Sequence, residues 1–124
     1  MKMIALVLVG LLALLHGYIA WFEIFAWETR GPEIFSVLAP ELFEPTKSMA
    51  ANQGLYNAFL GAGLIWSLLI KDQHWQRNVA TCFLLFVFVA GVFGAFTVTP
   101  KILFIQAVPS AIALITLYLW TRAR

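Results

Sequence analysis

The sequence predicts an all-α fold, an integral membrane four-helix antiparallel bundle with a short amphipathic segment in its first loop. Of the 124 residues, 62% are hydrophobic and 11% are charged, whereas soluble domains usually have about 45–50% apolar and about 25% charged residues. Four charge-free runs of 19 to 22 residues lie at 3–22, 49–70, 79–98 and 102–120. Each can cross a hydrocarbon core of about 30 Å as a helix. This composition excludes a soluble enzyme, a nucleic-acid-binding protein and a disordered chain.

The first helix is expected over about residues 3–27. Lys2 and the apolar residues that follow resemble the start of a secretory signal peptide. However, the apolar stretch continues to Phe25, and Tyr18 stands where a cleavage site needs a small residue. We therefore expect this helix to be retained in the protein.

Three further helices are expected at about 49–70, 77–98 and 101–121, within a single transmembrane domain that covers residues 1–124. The connections between them are short, so these helices should be antiparallel neighbours. The first loop, 28–48, is longer and contains three prolines. Five of its apolar residues fall roughly on one helical face: Ile34, Phe35, Leu38, Leu42 and Phe43. This pattern predicts a short amphipathic segment at the membrane interface, with an ordinary loop as the alternative.

The positions of lysine and arginine predict the orientation of the bundle. Five lie on one side, at Lys2, Lys71, Arg77, Arg122 and Arg124. Three lie on the other side, with four glutamates, at Arg30, Lys47 and Lys101. Cytoplasmic segments are enriched in lysine and arginine. Both termini are therefore expected in the cytoplasm, and the 28–48 loop outside.

Small residues indicate how the helices associate and which partners to expect. Ala50, Gly54, Ala58 and Ala62 recur every four residues in the second predicted helix, a pattern that lets helices approach closely in lipid. Such stripes can also join two copies, so we expect a homo-oligomer in the lipid bilayer. The net charge of +2 is too small and dispersed to indicate a nucleic-acid partner.

Polar side chains in the predicted helices converge at similar depths in the outer half of the membrane. They are His16, Glu23, Asn52, Gln53, Tyr56, Asn57, Lys101 and Gln106. At 1.5 Å per residue, Glu23 lies about 6 Å and His16 about 17 Å below the outer edge, which Trp27 marks. We expect them to form one outward-facing polar pocket that binds a small molecule or a cation, with His16 as its floor.

Each of these residues also has a structural interpretation. Asn57 can join two helices through a hydrogen bond of about 0.6 kcal/mol. His16 can be a packing residue, and Glu23 can pair with Lys101 or Arg30. A charged side chain in a membrane helix costs up to about 2.5–3.5 kcal/mol near the centre. This cost favours a ligand-binding or proton-binding role for Glu23.

No metal or cofactor is expected. Cys82 is the single cysteine, which excludes an internal disulfide and a cysteine-based metal cluster. His16 and Glu23 are two helical turns apart, about 10 Å along the axis, too far to bind one ion together. The sequence has no glycine-rich phosphate loop, haem-binding histidine pair or dinucleotide fingerprint.

Residues 47–64, with His16, Tyr18, Glu23 and Trp27 upstream, resemble a family of small bacterial membrane proteins, domain-of-unknown-function family 1304. The resemblance covers nearly the whole chain, and its most specific part is the Asn-Gln-Gly-Leu-Tyr-Asn segment at 52–57. It implies four transmembrane helices in a bacterial inner membrane and no established activity.

Three functions remain open on these observations. The first is binding, or transport, of a small molecule or cation, with Glu23 as the cation or proton site. The second is a membrane-embedded enzyme for a lipid-like substrate, with Glu23 as general acid–base and Tyr56 or His16 as its partner. The third is an assembly subunit without a ligand. The polar cluster favours the first.

Overall fold

The computed structural model describes residues 1–123, and this part of the chain is helical without a β-strand. Its elements in chain order are α1 (Lys2–Phe25), α2 (Trp27–Ile34), a 3₁₀ turn (Pro40–Leu42), α3 (Phe43–Leu69), α4 (Gln73–Thr97), a π-helix (Leu103–Ala107) and α5 (Val108–Arg122). The all-α class expected from the sequence is confirmed.

Three helices in the described part of the chain are long and apolar enough to cross a membrane: Lys2–Phe25, Gln73–Thr97 and Leu103–Arg122. The last combines the π-helix with α5. The run at 49–70 forms the second part of α3, which is not among the three. A charge-free run is not necessarily apolar, and Asn52, Gln53 and Asn57 make the middle of α3 polar. The sequence therefore predicted the helix, but its composition does not by itself mark a membrane span.

The first connection differs from the prediction. The helix expected to reach residue 27 ends at Phe25, and α2 follows after Ala26. The five apolar residues expected on one amphipathic face do not share a helix, because α2 ends at Ile34 and α3 begins only at Phe43. Proline disfavours helical backbone in the residue before it, and Ala39, before Pro40, is extended. The short helix of this connection therefore lies earlier in the chain than predicted.

Trp27 holds the first connection against the start of α3. Its Nε1 donates a hydrogen bond to Thr46 Oγ1 at 3.0 Å. Its ring centroid lies 5.0 Å from that of Phe43 and 5.6 Å from that of Phe35. Phe43 is buried, and its ring fills the space that a Cβ at Gly31 would need. This aromatic cluster fixes α2 beside α3.

Helices α1 and α3 pack closely in antiparallel directions. Gly54 faces Ala20 and Glu23, and a Cβ on Gly54 would lie 3.1 Å from the Ala20 carbonyl oxygen. Seven residues, or about two turns, further along α3, Gly61 faces the carbonyl oxygen of Ala13. The residue numbers of these contacts fall along α1 as they rise along α3, so the two helices are antiparallel. Glycine at these positions lets the two backbones approach.

Helices α3 and α4 also contact each other in antiparallel directions, and α4 contacts the π-helix. Gly63 of α3 faces the ring of Phe83 in α4, and Gln76 Nε2 donates to the Leu68 carbonyl oxygen at 3.4 Å. Gly91 of α4 faces the π-helix, where a Cβ would lie 2.5 Å from the Ala107 nitrogen. Helix α4 begins at Gln73, earlier than the predicted residue 77, because Asp72 Oδ1 accepts a hydrogen bond from the Trp75 backbone N–H at 2.9 Å and so caps it.

The apolar core lies towards the end of the molecule that contains the chain termini. It is built from side chains of all four long helices: Ala5, Val9, Leu12, Ala13, Leu64, Ala80, Leu84, Val87, Ala113, Leu117 and Trp120. The buried polar residues Glu23 and Asn57 lie beyond it, towards the first connection. Other buried polar residues, His16, Ser67, Gln76 and Ser110, lie elsewhere in the bundle, and Ser67 and Gln76 are at the same end as the apolar core.

Candidate functional site

The structure brings together two of the predicted site residues, Glu23 of α1 and Asn57 of α3. Asn57 Nδ2 donates a hydrogen bond to Glu23 Oε1 at 2.6 Å, and the same amide lies 3.3 Å from the Gln53 carbonyl oxygen. Both side chains belong to residues that are only 8% exposed. They meet because Gly54, next to them, allows α1 and α3 to approach.

Glu23 has no basic partner within residues 1–123. The ion pairs found there join Arg30 to Glu33 at 3.8 Å and Lys47 to Glu28 at 3.5 Å, on exposed side chains. Neither Arg30 nor Lys101 pairs with Glu23, although the sequence allowed both. A buried carboxylate is costly without an opposite charge. The Glu23 site therefore needs a proton or a cation in addition to the Asn57 amide.

His16 lies on the same face of α1, two turns further into the molecule. It is fully buried, and its Nδ1 lies 2.8 Å from the Leu12 carbonyl oxygen. A carbonyl oxygen can only accept, so Nδ1 bears the proton and Nε2 of the neutral ring is an acceptor. Nε2 is buried without a hydrogen-bond partner. No hydrogen bond joins His16 to the Glu23–Asn57 pair.

The remaining polar residues of α3 point away from Glu23. Asn52, Gln53 and Tyr56 are exposed and line a shallow open groove on the outer side of the helix, with Ser48 and Met49. The buried face of α3 is set by Ala50, Gly54, Asn57, Gly61 and Leu64. The three- and four-residue spacing of this face includes Asn57 and leaves the other three outside. One expected patch is therefore divided between two faces.

Lys101 and Gln106 are not part of the Glu23 site either. Lys101 is exposed just before the π-helix, and Gln106 is partly buried within it. The Gln106 Cβ lies against Gly91 of α4. Neither side chain forms a hydrogen bond or an ion pair with Glu23 in the structure.

A cleft of about 420 Å³ lies next to the Glu23 site, where α1, α2 and α3 meet. Its walls combine apolar and polar groups: Ile24, Phe25, Trp27, Glu28, Thr29, Lys47, Ser48 and Ala51. The sequence did not predict this cleft. It depends on residues 27–29 folding back onto 46–48, and the spacing of polar residues gave no signal for that contact. Glu23 does not itself line the cleft, whereas its neighbour in the chain, Ile24, does.

No three His, Cys, Asp or Glu side chains of the described residues come together where they could hold a metal ion. The oxygen ligands near Glu23 come from one carboxyl group and one amide. Such a pair can bind a proton, an ammonium group or a weakly held cation.

Comparison with known proteins places the chain in a family. Residues 10–118 match a family described as protein of unknown function (DUF1304). The chain belongs to this family. It is also similar to the uncharacterized protein YpaA of Lactococcus lactis subsp. lactis (strain IL1403), with 27% identity over 118 residues, which are 94% of this chain and 98% of the relative. No solved structure matches. The resemblance seen in the sequence is confirmed, and the DUF1304 match includes both Glu23 and Asn57.

Proposed function

We propose that this DUF1304 protein is a membrane protein that binds a small cation, such as a protonated amine, at the Glu23–Asn57 pair. The observation on which the proposal rests is the burial of the Glu23 carboxyl group with an amide and no basic side chain beside it. A carboxyl group inside a membrane helix is expensive unless a proton or cation accompanies it. Asn57 would hold the carboxylate in place while the ligand provides the opposite charge.

The adjacent cleft supports entry of the ligand from the first connection. Its volume of about 420 Å³ is within the range of small-molecule sites, roughly 300–1,000 Å³. Lys47 and Glu28 at the cleft form an ion pair 3.5 Å long. Beyond Glu23, towards the termini, the packed apolar core leaves little room for an ion. Binding is therefore favoured over transport.

The membrane arrangement that we propose is an antiparallel bundle of four helices, with both termini in the cytoplasm of a bacterium and the first connection outside the inner membrane. The antiparallel contacts among α1, α3, α4 and α5 support it. The excess of lysine and arginine near the termini supports the orientation. The Glu23 site would then lie in the outer half of the bilayer.

The test is ligand-induced stabilisation of the purified protein in detergent. Ammonium, alkylamines, Na⁺ and K⁺ are added separately, and the midpoint of thermal unfolding is measured for the wild type, Glu23→Gln and Glu41→Gln. A ligand at 100 times its dissociation constant stabilises a protein by about 2.7 kcal/mol. We expect at least one of these cations to raise the midpoint of the wild type.

Glu41→Gln is the matched control, because Glu41 is exposed on the same side of the molecule. It should respond to the cation as the wild type does, whereas Glu23→Gln should not respond. An equal response of all three proteins would contradict a site at Glu23. Proteoliposomes that show cation-driven proton flux lost in Glu23→Gln would extend binding to transport.

A second candidate function is self-assembly, which the outer face of α3 favours. Asn52, Gln53 and Tyr56 are exposed there, and amides that face lipid gain from pairing across helices. Native mass spectrometry in detergent tests this by comparing the wild type with Asn52→Leu/Gln53→Leu. The variant should have a smaller dimer fraction. Thr97→Val, which changes an exposed residue of α4, should leave that fraction unchanged.

A further inference from the structure

Two basic side chains share one indole ring at the end of the molecule where the termini lie. Lys2 Nζ lies 5.6 Å and Arg77 Cζ lies 5.2 Å from the ring centroid of Trp120. Trp120 is only 6% exposed. These residues come from the first turn of α1, the start of α4 and the end of α5. Three separate helices thus place two positive charges beside one buried ring.

This end of the described chain has little negative charge to balance them. Lys2, Lys71, Arg77 and Arg122 lie here, and Asp72 is the acidic residue nearby. Asp72 caps α4 through the Trp75 N–H. Neither of the two ion pairs in residues 1–123 involves a residue at this end. The basic cluster therefore has no carboxylate partner of its own.

Arg77 provides a second, independent observation. Its Nη1 is buried and has no hydrogen-bond partner within the described chain. A buried charged donor without an acceptor is costly, so such groups normally have an acceptor in the functional state. Arg122 is different, because its Nε donates to Tyr118 Oη at 3.0 Å and its guanidinium lies 5.2 Å from that ring. The two arginines therefore form a natural test and control.

We propose that the phosphate group of an anionic phospholipid binds between Lys2 and Arg77, beside Trp120. A guanidinium fork matches two phosphate oxygens, and Lys2 adds a second positive charge. Basic residues and tryptophan at helix ends are the groups that meet lipid headgroups at a membrane surface. Exposed Met3 and Leu119 adjoin Lys2 and Trp120 in the chain and offer apolar contact to acyl chains.

The experiment measures the thermal unfolding midpoint of the delipidated protein in a neutral detergent. Phosphatidylglycerol, phosphatidylcholine or inorganic phosphate is titrated into the wild type, Arg77→Gln and Arg122→Gln. Phosphatidylglycerol should raise the midpoint of the wild type and Arg122→Gln, and phosphatidylcholine should have a much smaller effect. The apparent affinity of Arg77→Gln for phosphatidylglycerol should be at least tenfold lower.

Lys2→Gln serves as a second variant, because Lys2 is exposed at the start of α1 and is not part of the apolar core. It should also weaken the effect of phosphatidylglycerol, which keeps the test decisive if Arg77→Gln fails to fold. Stabilisation by inorganic phosphate with the same dependence on Arg77 would support the phosphate site but assign it to a free anion. No stabilisation of the wild type, or equal stabilisation of Lys2→Gln and the wild type, would overturn the proposal.

This site is independent of the cation site at Glu23. Glu23→Gln should keep the full response to phosphatidylglycerol, and Arg77→Gln should keep the response to the cation. Failure of one proposal is therefore distinguishable from failure of the other.

Discussion

At the residue scale, the Glu23 carboxyl group and the Asn57 amide depend on one another for hydrogen bonding. The 2.6 Å contact joins α1 to α3 at a place where both side chains are buried. If Asn57 is truncated, Glu23 loses its donor. If Glu23 is truncated, the Asn57 amide keeps only the 3.3 Å contact to the Gln53 carbonyl oxygen. The two substitutions should therefore not be additive.

A double-mutant cycle of Glu23→Ala and Asn57→Ala measures this dependence. We expect a coupling free energy between about 0.6 kcal/mol, the average measured for hydrogen bonds between membrane helices, and about 1.7 kcal/mol, the largest such value. Unfolding is followed in mixed micelles without added ligand. A parallel cycle of Glu41→Ala with Asn57→Ala should give no coupling, because Glu41 is exposed and forms no contact with Asn57. Additive effects in the first cycle would show that the hydrogen bond does not stabilise the fold.

At His16, in contrast, we expect a substitution not to destabilise the protein. Its Nε2 is buried without a donor, and an unpaired buried polar group costs about 1–3 kcal/mol. His16→Leu removes that group and keeps most of the side-chain volume. The variant should unfold at the same temperature as the wild type or at a higher one. A clear loss of stability would mean that Nε2 has a hydrogen-bond partner, such as a bound water.

The sequence predicted the position of Glu23 along α1, but not the residues that surround it. Depth follows from counting residues along a helix. The direction in which Asn52, Gln53, Tyr56 and Asn57 point depends on which face of α3 packs against α1. The small residues of α3 determine which of its faces packs against α1. The spacing of the polar residues, taken alone, predicted one polar patch. Only Asn57 shares the glycine face of α3, so only Asn57 reaches Glu23.

At the element scale, the contact between α1 and α3 depends on glycine. A Cβ on Gly54 would lie 2.8 Å from Ile24 Cγ1 and 3.1 Å from the Ala20 carbonyl oxygen. Real side chains essentially never approach as closely as the first distance. Gly17, on the exposed side of α1, has no atom within 4 Å of the corresponding position. Gly54 is therefore the test position in the contact between α1 and α3, and Gly17 is its control on an exposed surface.

Gly54→Ala should therefore destabilise the protein by about 1–3 kcal/mol, the usual cost of overpacking. Gly17→Ala should leave stability unchanged or raise it by up to about 1 kcal/mol, because alanine is a better helix former than glycine. Thermal unfolding of both variants in the same detergent is the measurement. Gly54→Ala should also weaken cation binding at Glu23, since it separates the helices that form the site. Equal stability of the two variants would contradict the close packing of α1 and α3.

The ends of the helices could be predicted where a change in hydropathy determines them. They could not be predicted where a hydrogen bond determines them. The start of α4 depends on the Asp72 cap, which extends the helix back to Gln73 through residues too polar to count as a span. The first connection depends on the contact between Trp27 and Thr46, nineteen residues apart. Neither contact changes the hydropathy pattern. The predicted start of α4, at residue 77, was therefore too late, and the predicted end of α1, at residue 27, was too late as well.

At the scale of the whole molecule, many large apolar side chains are exposed along the helices. Phe96 is 88% exposed, Phe25 is 74% exposed and Leu14 is 72% exposed. Contiguous apolar surface of this kind mediates contact with a membrane or with a partner. Three helices have the length and composition to cross a membrane. Helix α3 has the length, with 27 residues or about 40 Å, but a more polar composition.

The number of crossings decides where the termini lie. If α3 crosses with α1, α4 and α5, four crossings put both termini on one side. If α3 stays outside, three crossings put them on opposite sides. We expect α3 to cross, because it packs antiparallel to α1 from Gly54 to Gly61 and its polar face at Asn57 is turned towards Glu23. Four crossings also place the basic cluster of Lys2 and Arg77 on a single membrane surface.

Cysteine labelling tests this in intact cells. Cys82, the single cysteine, is first replaced by alanine, and Glu41→Cys, Lys71→Cys and Ala123→Cys are then made one at a time. With four crossings, a membrane-impermeant maleimide should label Glu41→Cys in intact cells and the other two only after the cells are opened. With three crossings, Lys71→Cys and Ala123→Cys would both be labelled from outside. That result would contradict both proposed sites. The Glu23 site needs α1 and α3 together in the bilayer, and the phosphate site needs Lys2 and Arg77 on the same membrane surface.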